Sequence, residues 1–182
     1  MRCFFALEPD AASKLAIAAW RDKALPPFPT SVPAANFHIT LAFLGQLARP
    51  QLDTLLQQVE QFSLPPQFFC SLNHVGYWAK PKILCLGVEQ PPAPLTQLAK
   101  GVTHCAVASN LSMPKRRFMP HLTLVRNSKV APPTPLYAPA FTLHFSQFHL
   151  FESVATRSGV AYAKLASWNL PPYVAKNTAL IR

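Results

Sequence analysis

Apolar positions along the chain recur with two different periods, and prolines separate the stretches. Residues 2 to 8, RCFFALE, form a short apolar run that predicts a strand. Pro9-Asp10 then open a helical pattern carried by Leu15, Ala18, Ala19 and Leu25. LPPFPTSVPAAN follows as a loop, because its four prolines can sustain neither a helix nor a ladder. FHITLAFLG, residues 37 to 45, predicts the next strand. After Pro50, Leu52, Leu55, Leu56, Val59 and Phe62 fall on one face of a second helix. A hairpin-like pair is expected at roughly 67 to 78 and 82 to 89, and Leu95, Leu98, Val102 and Cys105 mark a third helix. Further strands are predicted near 119 to 126, 141 to 151 and 160 to 166, with APPTPLYAPA as a rigid surface loop between the first two.

Strands and helices are mixed without strict alternation, which predicts an α+β fold with largely antiparallel sheets. At 182 residues the chain has the length of one domain, expected to span residues 1–182. A loose repeat runs through it: strand, helix and an H-x-T strand in the first half are echoed from Ile83 to Leu124.

The repeat points to the chemistry. His38-Ile39-Thr40-Leu41 and His121-Leu122-Thr123-Leu124 carry the same pattern, with nearly half the chain between them. On a strand, residues i and i+2 share a face, so His38 and Thr40 emerge together while Phe37, Ile39, Leu41 and Phe43 turn to the other. His121 and Thr123 stand in the same way against Leu122 and Leu124. Two H-x-T coincidences would arise in roughly one comparable sequence in twenty; requiring Leu after both Thr lowers that to about one in a thousand. If the two strands face each other across a groove, two imidazoles and two hydroxyls converge. One imidazole can act there as base while its protonated partner acts as acid, which suits phosphoester chemistry without a metal or other cofactor. The Thr40 and Thr123 hydroxyls can donate to non-bridging phosphate oxygens as charge builds on them.

Charge fits such a substrate. The chain holds 17 Lys and Arg against 7 Asp and Glu, a formal charge of +10, which favours a polyanionic partner such as nucleic acid or an anionic membrane surface, without choosing between them. The basic residues are scattered, and only Lys115, Arg116 and Arg117 form a run, the usual mark of a solvated loop. No glycine-rich phosphate loop is present. Cys3, Cys70, Cys85 and Cys105 lie far apart, without zinc-ligand spacing. MRCFFALEPD turns polar after a few apolar residues, unlike a signal peptide, and no run reaches membrane-spanning length. Free, mostly buried thiols and a cytoplasmic location are expected.

The segments N-F-H-I-T-L-A-F-L-G at 36 to 45 and F-M-P-H-L-T-L-V-R at 118 to 126 resemble the two motifs of the 2H phosphoesterases, specifically the bacterial RNA 2′,3′-cyclic phosphodiesterase family, also called 2′-5′ RNA ligases. RCFFALEP resembles the family's first strand and LFESVATRSGVAYAKL its closing hairpin, so the resemblance covers nearly the whole chain. It implies two pseudo-symmetric lobes, each an antiparallel sheet with helices on its outer side, and H-x-T strands facing a central cleft. It implies His38 as general acid on the 3′ leaving oxygen and His121 as general base on the attacking water, giving a 2′-phosphate. With a 5′-hydroxyl in place of water, the reverse reaction would form a 2′-5′ linkage. Arg126 matches the family's arginine after the second motif, a candidate phosphate or ribose contact. Strict alternation points it away from His121, so it needs a bulge or the strand end to reach the cleft.

Tyr77, Trp78 and Phe118 are candidates for stacking on a base, with core packing as their competing role. Lys80, Lys82 and Lys115 to Arg117 flank the cleft if their loops fold towards it. Two alternatives to the cyclic phosphodiesterase remain at this point: a non-catalytic module that binds RNA ends, and a relative acting on another small cyclic phosphate. With no heptad or exposed apolar stripe evident, a monomer is expected.

Overall fold

A computed structural model describes residues 1–128, 131–157 and 159–173. In chain order the elements are β1 (Arg2–Leu7), α1 (Ala11–Ala24), a 3-10 turn at Ala34–Asn36, β2 (Ile39–Gln46), α2 (Arg49–Glu60), β3 (Phe68–Leu72), β4 (His74–Trp78) and β5 (Ile83–Gly87). Then come α3 (Ala93–Ala108), β6 (His121–Val125), β7 (Phe141–Phe145), β8 (Gln147–Thr156) and β9 (Gly159–Asn169). Seven strands lie in one sheet in the order β4-β5-β6-β2-β1-β8-β9, and β3 and β7 pair separately. All of the paired strands run antiparallel.

The repeat seen in the sequence is built as two lobes. β1-α1-β2 and β5-α3-β6 each place an H-x-T strand beside an antiparallel neighbour. β8 and β9 extend the first half-sheet and β4 the second. The half-sheets are not separate: β2 and β6 meet at one pair, Ile39 with Leu122, which fuses them into the seven-stranded sheet.

One sheet face carries the core. Phe5, Leu7, Ile39, Leu86, Leu122 and Leu150 are fully buried there, in one cluster with the inner faces of the helices. α2 buries Leu52, Leu55 and Val59, and α3 buries Leu95, Leu98, Val102 and Cys105, as their spacing predicts. Each such leucine or valine contributes about 1.5–3 kcal/mol on burial. α1 departs from its expected face. It buries Ile17, Trp20, Arg21 and Ala24, whereas Leu15 is 67% exposed. The alanine-rich helix offers two apolar stripes, and the one carrying Trp and Ile removes more surface from water. Asp10 caps this helix, accepting from the Ser13 N–H at 2.8 Å.

Two runs expected to be single strands change partners instead. The 67 to 78 run breaks at Asn73, so β3 pairs with β7 and β4 with β5. The 141 to 151 run breaks at Ser146 into β7 and β8. Both breaks fall on turn-favouring polar residues. APPTPLYAPA is pinned to α1 where Leu136 N–H donates to the Ala24 carbonyl and the Trp20 indole to the Tyr137 carbonyl. All four cysteines are free and buried, and burial pushes the Cys70 and Cys85 thiols up to about 11. Among the described residues no helix is long and apolar enough to cross a membrane.

Candidate active site

The opposite face of the sheet carries both motifs. Ile39 and Leu122 pair with their side chains fully buried in the core, so the residues on either side of each turn the other way. The antiparallel register sets Thr40 across from His121 and His38 across from Thr123. All four flank the single pair that joins the two strands, so the two His-Thr pairs lie side by side on the cleft face. His38, His121, Thr40 and Thr123 are all half-buried.

Both rings are fixed in the same way. His38 Nδ1 donates to the Asn36 carbonyl at 2.8 Å, and His121 Nδ1 donates to the Met119 carbonyl at 2.9 Å. A carbonyl only accepts, so each neutral ring holds its proton on Nδ1 and leaves Nε2 free to take or give one. His38 packs against Phe4 and, edge to face, Tyr162, with ring centroids 5.0 and 4.9 Å away. His121 packs against Trp78 at 4.4 Å. Burial pushes both imidazoles below the usual histidine range, and the Arg126 guanidinium adds to this. His38 falls to about 4, with His121 and Lys14 contributing further positive charge.

The His38 side has a clamp. Glu8 pairs through one carboxylate oxygen with Lys14 and through the other with Lys164, and its own carboxyl is held below the usual range despite burial. Lys14 also donates to the Ala35 carbonyl at 3.1 Å, next to the residue whose carbonyl receives His38. Asn36 Nδ2 donates to the Val160 carbonyl at 2.8 Å. The turn carrying His38's partner is thus tied to α1 and to the β8–β9 hairpin. Nothing in the sequence singled out Glu8 or Lys14.

A β-bulge follows each motif. Ala6 pairs with Thr40 and Phe5 with Ala42, leaving Leu41 as an extra residue. Cys85 pairs with Thr123 and Leu84 with Val125, leaving Leu124 as the extra one. Leu41 and Ala42 both stay in the core, as do Leu124 and Val125. The residue after each pair therefore returns to the histidine face. This overturns the expected placement of Phe43: it lies beside Phe4, 61% exposed, on the face of His38. It also supplies the bulge that Arg126 needed. The Leu124 carbonyl accepts from Val32 N–H at 2.8 Å, and Arg126 N–H donates to the Thr30 carbonyl at 3.1 Å.

Two cavities open on this face. The larger, about 670 Å³, is lined by His38, Phe4, Phe43, Tyr162, Arg126 and Thr30, among others. The smaller, about 300 Å³, is lined by His121, Trp78, Phe118, Arg117, Gly76 and Gly87, among others. Alternation separates the aromatic candidates: Trp78 faces the cleft, while Tyr77 packs on the core and donates its hydroxyl to the Ser128 carbonyl. Of the basic loop residues only Arg117 lines a cavity; Lys80, Lys82, Lys115 and Arg116 line neither. Among the described residues no three His, Cys, Asp or Glu side chains converge as a metal site would.

Comparison with known proteins matches the same repeat. The model of the family described as LigT like phosphoesterase matches twice, over residues 7–85 and 86–162, with one H-x-T segment in each match. The chain is 33% identical over 175 residues to an RNA 2′,3′-cyclic phosphodiesterase of Escherichia coli K12, covering 93% of this chain and 96% of that one. The crystal structure of E. coli LigT complexed with 3′-AMP superimposes with a TM-score of 0.86 at 32% identity, over 93% of this chain and 97% of the other. A crystal structure described as a phosphoesterase gives 0.87 at 32% identity, covering 93% and 98%.

Proposed function

Because the chain belongs to the LigT-like phosphoesterase family, we propose that it hydrolyses the 2′,3′-cyclic phosphate at the end of an RNA or nucleotide to a 2′-phosphate. The observation that carries this reading is the pair of imidazoles on one sheet face, each held through Nδ1 with Nε2 free. His121 takes the proton of the attacking water, and His38 delivers a proton to the 3′ oxygen as its bond to phosphorus breaks. Thr40 and Thr123 donate to the non-bridging oxygens, whose charge grows in the transition state. Arg126 contacts the phosphate or ribose, and Phe43 and Tyr162 offer stacking surfaces for the terminal base in the larger cavity. With a 5′-hydroxyl in place of water, the same groups form a 2′-5′ linkage.

Burial sets a condition on this assignment. In the empty cleft His38 favours its neutral form more strongly than an acid should. The substrate's phosphate anion supplies the opposite charge that raises its proton affinity as the complex forms.

The test is incubation with a 2′,3′-cyclic nucleotide in EDTA, resolving 2′- from 3′-phosphate, for wild type, His38→Ala and His121→Ala. Wild type yields the 2′-phosphate and both variants lose it; full rate in both variants would sink the reading. An analogue with sulfur at the 3′ leaving position separates the roles, because a thiolate leaves without a proton. It restores turnover to His38→Ala and not to His121→Ala, and the converse pattern reverses the assignment.

A further inference from the structure

We propose that the smaller cavity beside His121 is a subsite for a second nucleoside, which presents a hydroxyl to the phosphate in place of water. The inference rests on the reading above and names where its alternative nucleophile binds.

Displacement at phosphorus places the entering oxygen opposite the leaving one. The leaving 3′ oxygen belongs to the nucleoside beside His38, so the nucleophile arrives from the side of His121. Water needs no cavity there, yet one of about 300 Å³ is present, within the size range of ligand pockets.

Its floor is cleared by glycine. The chain has five glycines, and two of them, Gly76 and Gly87, lie on the cleft face of β4 and β5. Glycine weakens a strand and marks places where a ligand comes close to the backbone. Neither position is demanded by the protein's own packing. A Cβ at Gly76 would approach nothing nearer than the Cys85 sulfur at 3.4 Å, and one at Gly87 nothing nearer than the His74 ring at 3.4 Å. Gly101 is the contrast, since a Cβ there would sit 1.9 Å from the Phe62 ring.

The walls suit a flat, anionic-ended ligand. Trp78 and Phe118 provide aromatic surface, with Trp78 already against His121, and Arg117 stands on the rim for a phosphate. In the step itself the acceptor's hydroxyl oxygen bonds to phosphorus and its proton passes to His121. The bond from phosphorus to the 3′ oxygen breaks, and that oxygen takes the proton held by His38. The product is a 2′-linked phosphodiester, and no other reactant is consumed.

The test measures the ratio of transfer to hydrolysis with a 2′,3′-cyclic nucleotide as donor and adenosine 3′-monophosphate, which offers a 5′-hydroxyl and a phosphate, as acceptor, for wild type, Gly76→Val and Arg117→Gln. Wild type forms a 2′-5′-linked dinucleotide that keeps the acceptor's 3′-phosphate. Both variants hydrolyse the cyclic nucleotide as wild type does, while the transfer ratio falls about tenfold, the loss of roughly one stacking or phosphate contact. Gly76→Val fills the floor with a residue strands favour, and exposed Arg117 keeps the test open if that variant does not fold. Unchanged ratios in both variants, or no transfer by wild type at saturating acceptor, overturn the proposal. A raised KM for cyclic-ended oligonucleotides alone overturns it too, giving the cavity to the neighbouring nucleotide of the substrate strand. Wild type that does not hydrolyse the donor at all refutes the function proposed above, and this inference with it.

Discussion

Acidification should destabilise this protein through its buried histidines, and through His38 above all. His38 takes up a proton at about 4 in the folded chain, against 6.5 for an imidazole in water. Between those values the unfolded chain binds more protons than the folded one, so stability declines as pH falls from about 6.5 and levels off below about 4. At about 1.4 kcal/mol for each tenfold difference in proton affinity, the full loss from His38 is about 3 kcal/mol. That is a large part of the 5–15 kcal/mol typical of a domain. The cause is desolvation first, with Arg126, His121 and Lys14 adding positive charge that a second cation must oppose. His121 and His149 are depressed in the same direction, so the His38 share has to be isolated. Urea unfolding of wild type and His38→Asn across this window, in buffers free of phosphate, does so. Asn removes the titrating group, so the variant gains on wild type by about 3 kcal/mol as pH falls to 4. Parallel stability curves for the two proteins would refute the account of burial at this site.

The same shifts predict that kcat/KM, which reports the empty cleft, peaks below pH 6.5, while kcat peaks at higher pH once a phosphate anion is bound; coincident optima at or above neutrality would contradict this. Lys14→Met releases the turn behind His38 and removes a nearby cation. It should lower kcat about tenfold with little change in KM and move the acid limb of kcat/KM upward, whereas an unaltered limb would make Lys14 merely structural. Gly101→Ala should destabilise by about 1–3 kcal/mol despite alanine's better helix propensity, because its methyl meets the Phe62 ring. Thermal unfolding of Gly101→Ala with and without Phe62→Leu checks this, since the smaller side chain should recover most of the loss.

Much of the layout was legible because its signals are strong and local. α2 and α3 have one unambiguous apolar stripe each, and the paired H-x-T-L segments mark equivalent strands of two lobes. What escaped depends on partners far away in the chain. Nothing near Asn73 says that β3 leaves for β7 while β4 stays with β5. The face of α1 was decided by which stripe buries a tryptophan, a comparison that its scattered alanines obscure. Phe43 was misplaced by strict alternation, since a bulge is visible only in the register against β1. A signal was available even so: Arg126 required a bulge after the second motif, and the repeat implied the same after the first. Glu8 and Lys14 lie on β1 and α1, and only folding brings them behind the turn before His38.

Those two bulges give a duplicated scaffold its sense of direction. Two identical His-Thr pairs related by a two-fold would serve a bound phosphate equally well from either end, with no way to distinguish entering from departing oxygen. The extra leucine in each strand delivers one more side chain to the same face, and there the halves part company: an apolar ring at Phe43, a permanent cation at Arg126. Under the function proposed above, a base would stack on Phe43 and an anion would dock on Arg126, which sets the substrate one way round. An irregularity shared by both lobes is thus where their side chains differ without disturbing the pairing that holds them together.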